Sequence, residues 1–266
     1  MQRLHFALAF IIAALISYPF IEPYLLYANE MELADPDIPE GFDGVRVAFA
    51  ADLHCGQYVS VERMQYFVKE INSQKPDIIL LGGDYIIDGH PDLDQCFAAL
   101  SDLSAPMGVY GVLGNHEHWE DEDWSRQQLE SAGITLLEND GQWISRGGDR
   151  IWVGGVGDVW EDEQDMSKME ATEDDFSIIV SHNPDFAEKL SEDTVDMILS
   201  GHTHGGQVNL FGLYAPYQTS RYGQKYMRGM VDGPRCPVYV TTGMGVGGAP
   251  IRFFARPEIA VFTLRK

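Results

Sequence analysis

Eight residues of this chain combine metal-binding or proton-transfer chemistry with one kind of position. Asp52 and His54, Asp84, Asn115 and His116, His182, and His202 with His204 each stand just after a short apolar run, in turns rich in glycine. Five of the eight histidines of the chain fall in this pattern, which scattered surface or core histidines would not produce. Neutral imidazole is a metal ligand. A set of carboxylates, an amide oxygen and imidazoles suits borderline divalent ions such as Mn, Fe or Zn. No thiolate belongs to the set, so it does not read as a structural zinc site.

The elements that carry these residues alternate. Val45 to Ala50, Asp77 to Leu81 and Gly108 to Leu113 have strand composition, and helical patterns follow them at Ser60 to Ser73, Asp92 to Leu103 and Asp123 to Ala132. In the first of these helices Ser60 can cap the N-terminus, while Val61, Met64, Phe67, Val68 and Ile71 share one face. Strands alternating with helices imply βαβ units, whose ligands gather at the carboxyl ends of the strands. Beyond Gly133 closely spaced strands are expected at Ile134 to Leu137, Gln142 to Ser145 and Ile151 to Val153, with Arg146 to Asp149 as a hairpin turn. Further strands are expected at Phe176 to Val180, Val195 to Leu199, Pro237 to Thr242 and Ile259 to Leu264, and the acidic stretch Glu161 to Asp175 reads as surface. The run Gly243 to Gly248 precedes Pro250 rather than a helix, so it reads as a tight loop beside the site and not as a dinucleotide fingerprint.

A chain of 266 residues with 45% hydrophobic residues can bury one sizeable core. The net charge of -23 repels nucleic acid backbones, and no basic stripe overrides it, so nucleic acid is excluded as an expected partner. Cys55, Cys96 and Cys236 have neither a disulfide framework nor metal-ligand spacing and read as free thiols. Residues 4 to 21 carry no Asp, Glu, Lys or Arg, and no convincing cleavage site follows. They read as an uncleaved membrane anchor, with residues 1–30 as anchor or signal, 31–43 as linker and the globular domain over 44–266. Arg3 before the run and the acids after it place that domain outside the cytoplasm.

Asp-x-His, Gly-Asp, Gly-Asn-His-Glu, a lone His and Gly-His-x-His, in this order from about Val45 to Leu264, resemble the calcineurin-like metallophosphoesterase superfamily. Within it, Ser181-His182-x-Pro184-Asp185, the stretch Gly201 to Gln207 and Pro250 to Phe253 are similar to the YkuE/YaeI-type phosphodiesterases. The resemblance implies an α/β fold, a four-layer αββα sandwich of two mixed sheets flanked by helices, with two divalent ions at the sheet ends. It assigns Asp52, His54, Asp84 and His204 to one ion and Asp84, Asn115, His182 and His202 to the other, with Asp84 bridging through both of its oxygens. His116 is left to protonate the leaving group, after in-line attack by a hydroxide shared by the two metals.

The resemblance also implies the activity, a phosphodiesterase or pyrophosphatase acting on a lipid-linked or nucleotide-like substrate. The competing readings are a phosphomonoesterase or nucleotidase and a scaffold without catalysis. Arg221, Tyr222, Arg228 and Arg252 are candidates to clamp the substrate, with Arg252 the one assigned to substrate binding. One departure stands out. The phosphoprotein-type members carry Gly-Asp-x-x-Asp-Arg-Gly, whereas here the second acid, Asp88, is displaced by one residue and the arginine is missing. That weakens a protein-phosphatase reading and any role of Asp88 in orienting His116.

Overall fold

In a computed structural model, residues 2–87, 89–191 and 193–266 are described. Helix α1 (Gln2–Ile21) precedes strand β1 (Tyr27–Ala34). Then follow β2 (Arg46–Ala50), α2 (Val61–Ser73), β3 (Ile78–Leu81), α3 (Leu93–Leu100), β4 (Val109–Gly111), α4 (Asn115–Glu120), α5 (Glu122–Ser131) and β5 (Thr135–Leu136). The second half holds β6 (Asp140–Arg146), β7 (Asp149–Gly155), β8 (Ser177–Val180), β9 (Met197–Ser200), β10 (Gly229–Asp232), β11 (Pro237–Val240) and β12 (Glu258–Arg265).

These strands form two six-stranded mixed sheets, in the orders β1-β12-β2-β3-β4-β5 and β10-β11-β9-β8-β7-β6. Strands β2 to β5 run parallel to one another, and so do β7, β8, β9 and β11. Alternation along each strand sorts the apolar side chains into layers. Ile78 and Leu80 of β3 join Val47, Phe49, Ile178, Val180, Met197 and Leu199 between the sheets. Ile79 and Leu81 face the other way, onto Met64, Phe67 and Ile71 of α2, Phe97 of α3 and Leu129 of α5. The outer face of the second sheet is covered by Phe186 of a short 3-10 segment and by Leu190 just after it, with Met166 and Met169 of the acidic stretch packed against it. Ser60 caps α2 as expected, its Oγ accepting the Arg63 N–H.

Three expectations are corrected. Tyr27–Ala34, placed in the anchor and linker, is a full edge strand paired in parallel with β12 from Tyr27 to Ala34, so the globular unit begins well before residue 44. Cys55 and Cys96 are joined in a disulfide, and only Cys236 is a buried free thiol. The loop after β2 and the start of α3 bring the two cysteines together across 41 residues of chain, a proximity no spacing rule encodes. Lastly, among the described residues no helix is long and apolar enough to cross a membrane. The N-terminal segment is helical, and Phe6, Phe10, Leu15, Ile16 and Phe20 on it are exposed. Its C-terminal end is fixed to the domain, where the Pro19 carbonyl accepts the Arg252 N–H and Tyr18 meets Phe253 edge-on.

Candidate metal centre

Parallel strands point their carboxyl ends the same way, so β2, β3, β4, β8 and β9 deliver the chemistry-bearing loops to one edge of the sandwich. Asp52, His54, Asp84, His202 and His204 all adopt positive φ, between 51° and 68°. Non-glycine residues in this left-handed region cost of order 1–3 kcal/mol each and persist only where surrounding contacts enforce them. Here the loops brace one another. Asp52 N–H donates to the Gly83 carbonyl, His54 N–H to the Asp84 carbonyl, and Gly201 N–H to the His182 carbonyl. Both Asp52 carboxylate oxygens accept the His202 N–H, at 2.9 and 3.1 Å. A Cβ on Gly201 would stand 2.6 Å from Asp52 Oδ2, so the glycine permits that approach.

Two donor groups result, and His116 joins His54 and Asp84 in a third that overlaps both. The ligand atoms of Asp52, His54 and His204 lie together, as do those of Asp84, His182 and His202. In the first group His54 Nε2 is 2.9 Å from His204 Nε2, and His204 Nε2 is 3.6 Å from Asp52 Oδ1. In the second, His182 Nε2 is 3.1 Å from His202 Nδ1 and 3.2 Å from Asn115 Oδ1. The His182 Nδ1–H donates to the Gly82 carbonyl at 2.7 Å, which leaves Nε2 aimed into the group. Asp84 joins the groups through a single oxygen: Oδ2 is 3.6 Å from His54 Nε2 and 3.3 Å from His182 Nε2. Its Oδ1 accepts the N–H of His116 at 3.0 Å, whereas the expected bridge called for two free oxygens.

The electrostatics fit cations. Burial lowers His54 to about 3 and holds His202 and His204 well below the usual histidine range, with neighbouring imidazoles adding to the effect. The ring nitrogens of His54 and His204 approach to 2.9 Å and those of His182 and His202 to 3.1 Å, close enough to share a proton or to converge on a cation. Burial pushes Asp84 up, but His182 and His54 overcome it and hold the carboxyl well below its ordinary value. Burial alone would lower His182; the Asp84 carboxylate instead raises it strongly. The donor set therefore attracts positive charge, as two divalent ions held by mixed N and O ligands would supply.

The sequence profile of calcineurin-like phosphoesterases matches residues 45–206. The chain belongs to that family. It is 36% identical to the metallophosphoesterase YkuE of Bacillus subtilis over 92% of this chain and 88% of that protein. Phosphodiesterase YaeI of Escherichia coli is 32% identical, covering 82% of each. A metallophosphoesterase of Aquifex aeolicus is 28% identical over 96% of this chain and 98% of its own length.

Sequence reasoning named all seven ligand candidates, and the fold brings all seven to this edge. His116 also lines the pocket there, its ring 4.9 Å from that of His54. The four substrate-clamp candidates do not line it. Arg252 is fully buried behind His204, donating to the carbonyls of Gly245, Thr242 and Ala255 at 2.6–2.9 Å. Its Nη2 is 3.5 Å from His204 Nδ1, and its guanidinium does not reach the pocket. Arg228 donates to the Phe254 carbonyl and lines a separate cavity beside Tyr27 and Glu258. Asp88 lies outside the described residues.

One functional residue was missed. Glu117 is fully buried, and its carboxylate accepts the N–H groups of Asp84, Tyr85, Ile86 and Gly114 at 2.8–3.2 Å. It ties the loop after β3 to the start of α4, and so holds Asp84 against Asn115 and His116. The available signal was a glutamate three residues after Gly114 at a helix start, the spacing at which Glu reaches back to the N-cap N–H.

Proposed function

We propose that this family member is a metal-dependent phosphodiesterase. The observation that carries the reading is the position of Asp84 Oδ2, shared by two convergent donor groups beside a pocket-lining histidine. Bound in those groups, two divalent ions supply Lewis acidity towards phosphate oxygens and lower the pKa of water. The chain does the rest. Asp52 and Asp84 hold their loops through the N–H groups of His202 and His116, so the site is organised before substrate arrives. His116, next to the donor groups, carries the proton to the leaving oxygen. The pocket encloses about 280 Å³, and none of its lining residues is Lys or Arg. A diester brings one negative charge, whereas monoesters and pyrophosphates bring more and would call for extra cations. This favours the diester over the pyrophosphate and monoester alternatives.

We further propose that the domain acts outside the cytoplasm. The Cys55–Cys96 disulfide supports this, because such bonds persist in oxidising compartments. A hydrolysis screen of diesters, monoesters and nucleoside diphosphate sugars, each with Mn, Fe or Zn added, tests the reaction. Diesters are expected to give the highest kcat/KM; faster turnover of monoesters would replace the reading.

A further inference from the structure

Two tryptophans outside the ligand set stand at the mouth of the same pocket. Trp119 is on α4, one turn after His116, and meets its ring edge-on with centroids 4.7 Å apart. Trp160 approaches His202 from the opposite donor group, at 4.3 Å and an interplanar angle of 89°. Both line the pocket while keeping 48% and 37% of their surface exposed. Large apolar side chains left open beside a reactive centre mark a contact surface.

The pair is held in place by polar contacts. The Trp119 Nε1–H donates to Glu161 Oε1 at 2.8 Å, linking it to the residue next to Trp160. Asp158, fully buried, accepts the N–H groups of Trp160 and Glu161 at 2.8 and 3.2 Å through one oxygen. Tyr217 completes the rim. The rim thus offers π-faces, and the lining offers no Lys or Arg to a second phosphate. The net charge of -23 adds a repulsion against polyanions.

We propose, resting on the phosphodiesterase reading, that Trp119 and Trp160 select monoanionic phosphodiesters that carry a flat aromatic or heteroaromatic ester arm. Stacking on an aromatic side chain is tolerant of ring identity and contributes binding that alanine removes. The two rings flank the donor groups, so an arm resting on them leaves the phosphate at the metal centre.

The experiment compares bis(4-nitrophenyl) phosphate with methyl 4-nitrophenyl phosphate, which share a leaving group and differ in the other arm. For Trp160→Ala and Trp119→Ala, kcat/KM on the aryl-arm diester is expected to fall about 10- to 100-fold, chiefly through KM, and much less on the methyl-arm diester. Trp160→Phe should restore most of the preference. Diphenyl phosphate, mixed rapidly with the protein so that binding is read before turnover, should quench tryptophan fluorescence, and Trp160→Ala should weaken its binding by a similar factor. Equal losses on both diesters, or unchanged binding of diphenyl phosphate, would overturn the selection by tryptophan and leave the diesterase reading standing. Wild-type protein that hydrolyses monoesters and neither diester would overturn both.

Discussion

Replacing Glu117 by glutamine tests whether the missed carboxylate organises the metal centre. Each oxygen of Glu117 accepts two N–H groups: Oε1 those of Tyr85 and Ile86, Oε2 those of Asp84 and Gly114. Burial and the Asp84 charge push this carboxyl up to about 8, with the Gly114 and Ile86 N–H groups and His182 pulling against them. A glutamine keeps one acceptor oxygen and presents an NH₂ to the other pair, so two buried N–H groups lose their acceptor. At about 1–3 kcal/mol for each unsatisfied group, the loss of stability is about 2–6 kcal/mol. Against a typical total of about 5–15 kcal/mol, the variant should fold and be measurably weakened. Urea unfolding followed by circular dichroism reads the stability, and elemental analysis reads the metal content, which should fall because the Asp84 loop is no longer fixed. A loss below about 1 kcal/mol with unchanged metal content would refute this role.

The other expectations concern groups in different parts of the fold. His116→Ala should keep its metals and lose about 10²–10⁴-fold in kcat on alkyl esters, with a much smaller loss on nitrophenyl esters, whose leaving group needs little protonation; equal losses would make His116 a ligand or positioning group. Reducing the Cys55–Cys96 bond, which closes a loop of 41 residues, should lower stability by about 3–4 kcal/mol in the chain-entropy account. Unfolding curves that coincide with and without dithiothreitol would count against it. Half-buried Asp196 is raised to about 6 by burial, with Asp35 and Asp37 nearby, while its carboxylate accepts the Ser177 N–H. Its folded pKa thus exceeds the unfolded value of about 3.9, so stability falls as pH rises from about 4 to 6. Asp196→Asn should remove that slope and stabilise the protein at pH 8 by about 1 kcal/mol after allowance for solvent screening; a variant no more stable than wild type at pH 8 would contradict this.

The candidate metal centre was legible because each candidate ligand stands just after an apolar run, and parallel strands carry their ends to one edge. Sequence order therefore translates into spatial convergence without knowledge of the sheet order. Edge strand β1 was not legible. Tyr27–Ala34 alternates half-buried and exposed residues late in the strand and carries Glu30 and Glu32 on its open side, so its composition resembles a linker. The pairing that makes it a strand is supplied by β12, more than 200 residues away. The same distance problem hid the disulfide. Arg252 was misplaced for a different reason: an arginine that donates to backbone carbonyls from full burial has the same sequence signature as one that reaches for phosphate. Trp119 and Trp160 carry no motif, and their relation to His116 and His202 appears only once the two sheets are assembled.

The central claim is that Asp84 serves two cation sites at once. Metal content per chain, measured by elemental analysis on fully active wild-type protein and on Asp84→Ala, tests it most directly. Two divalent ions per wild-type chain are expected, with a fall at both positions in the variant and loss of hydrolysis. A single ion in fully active wild-type protein would contradict it.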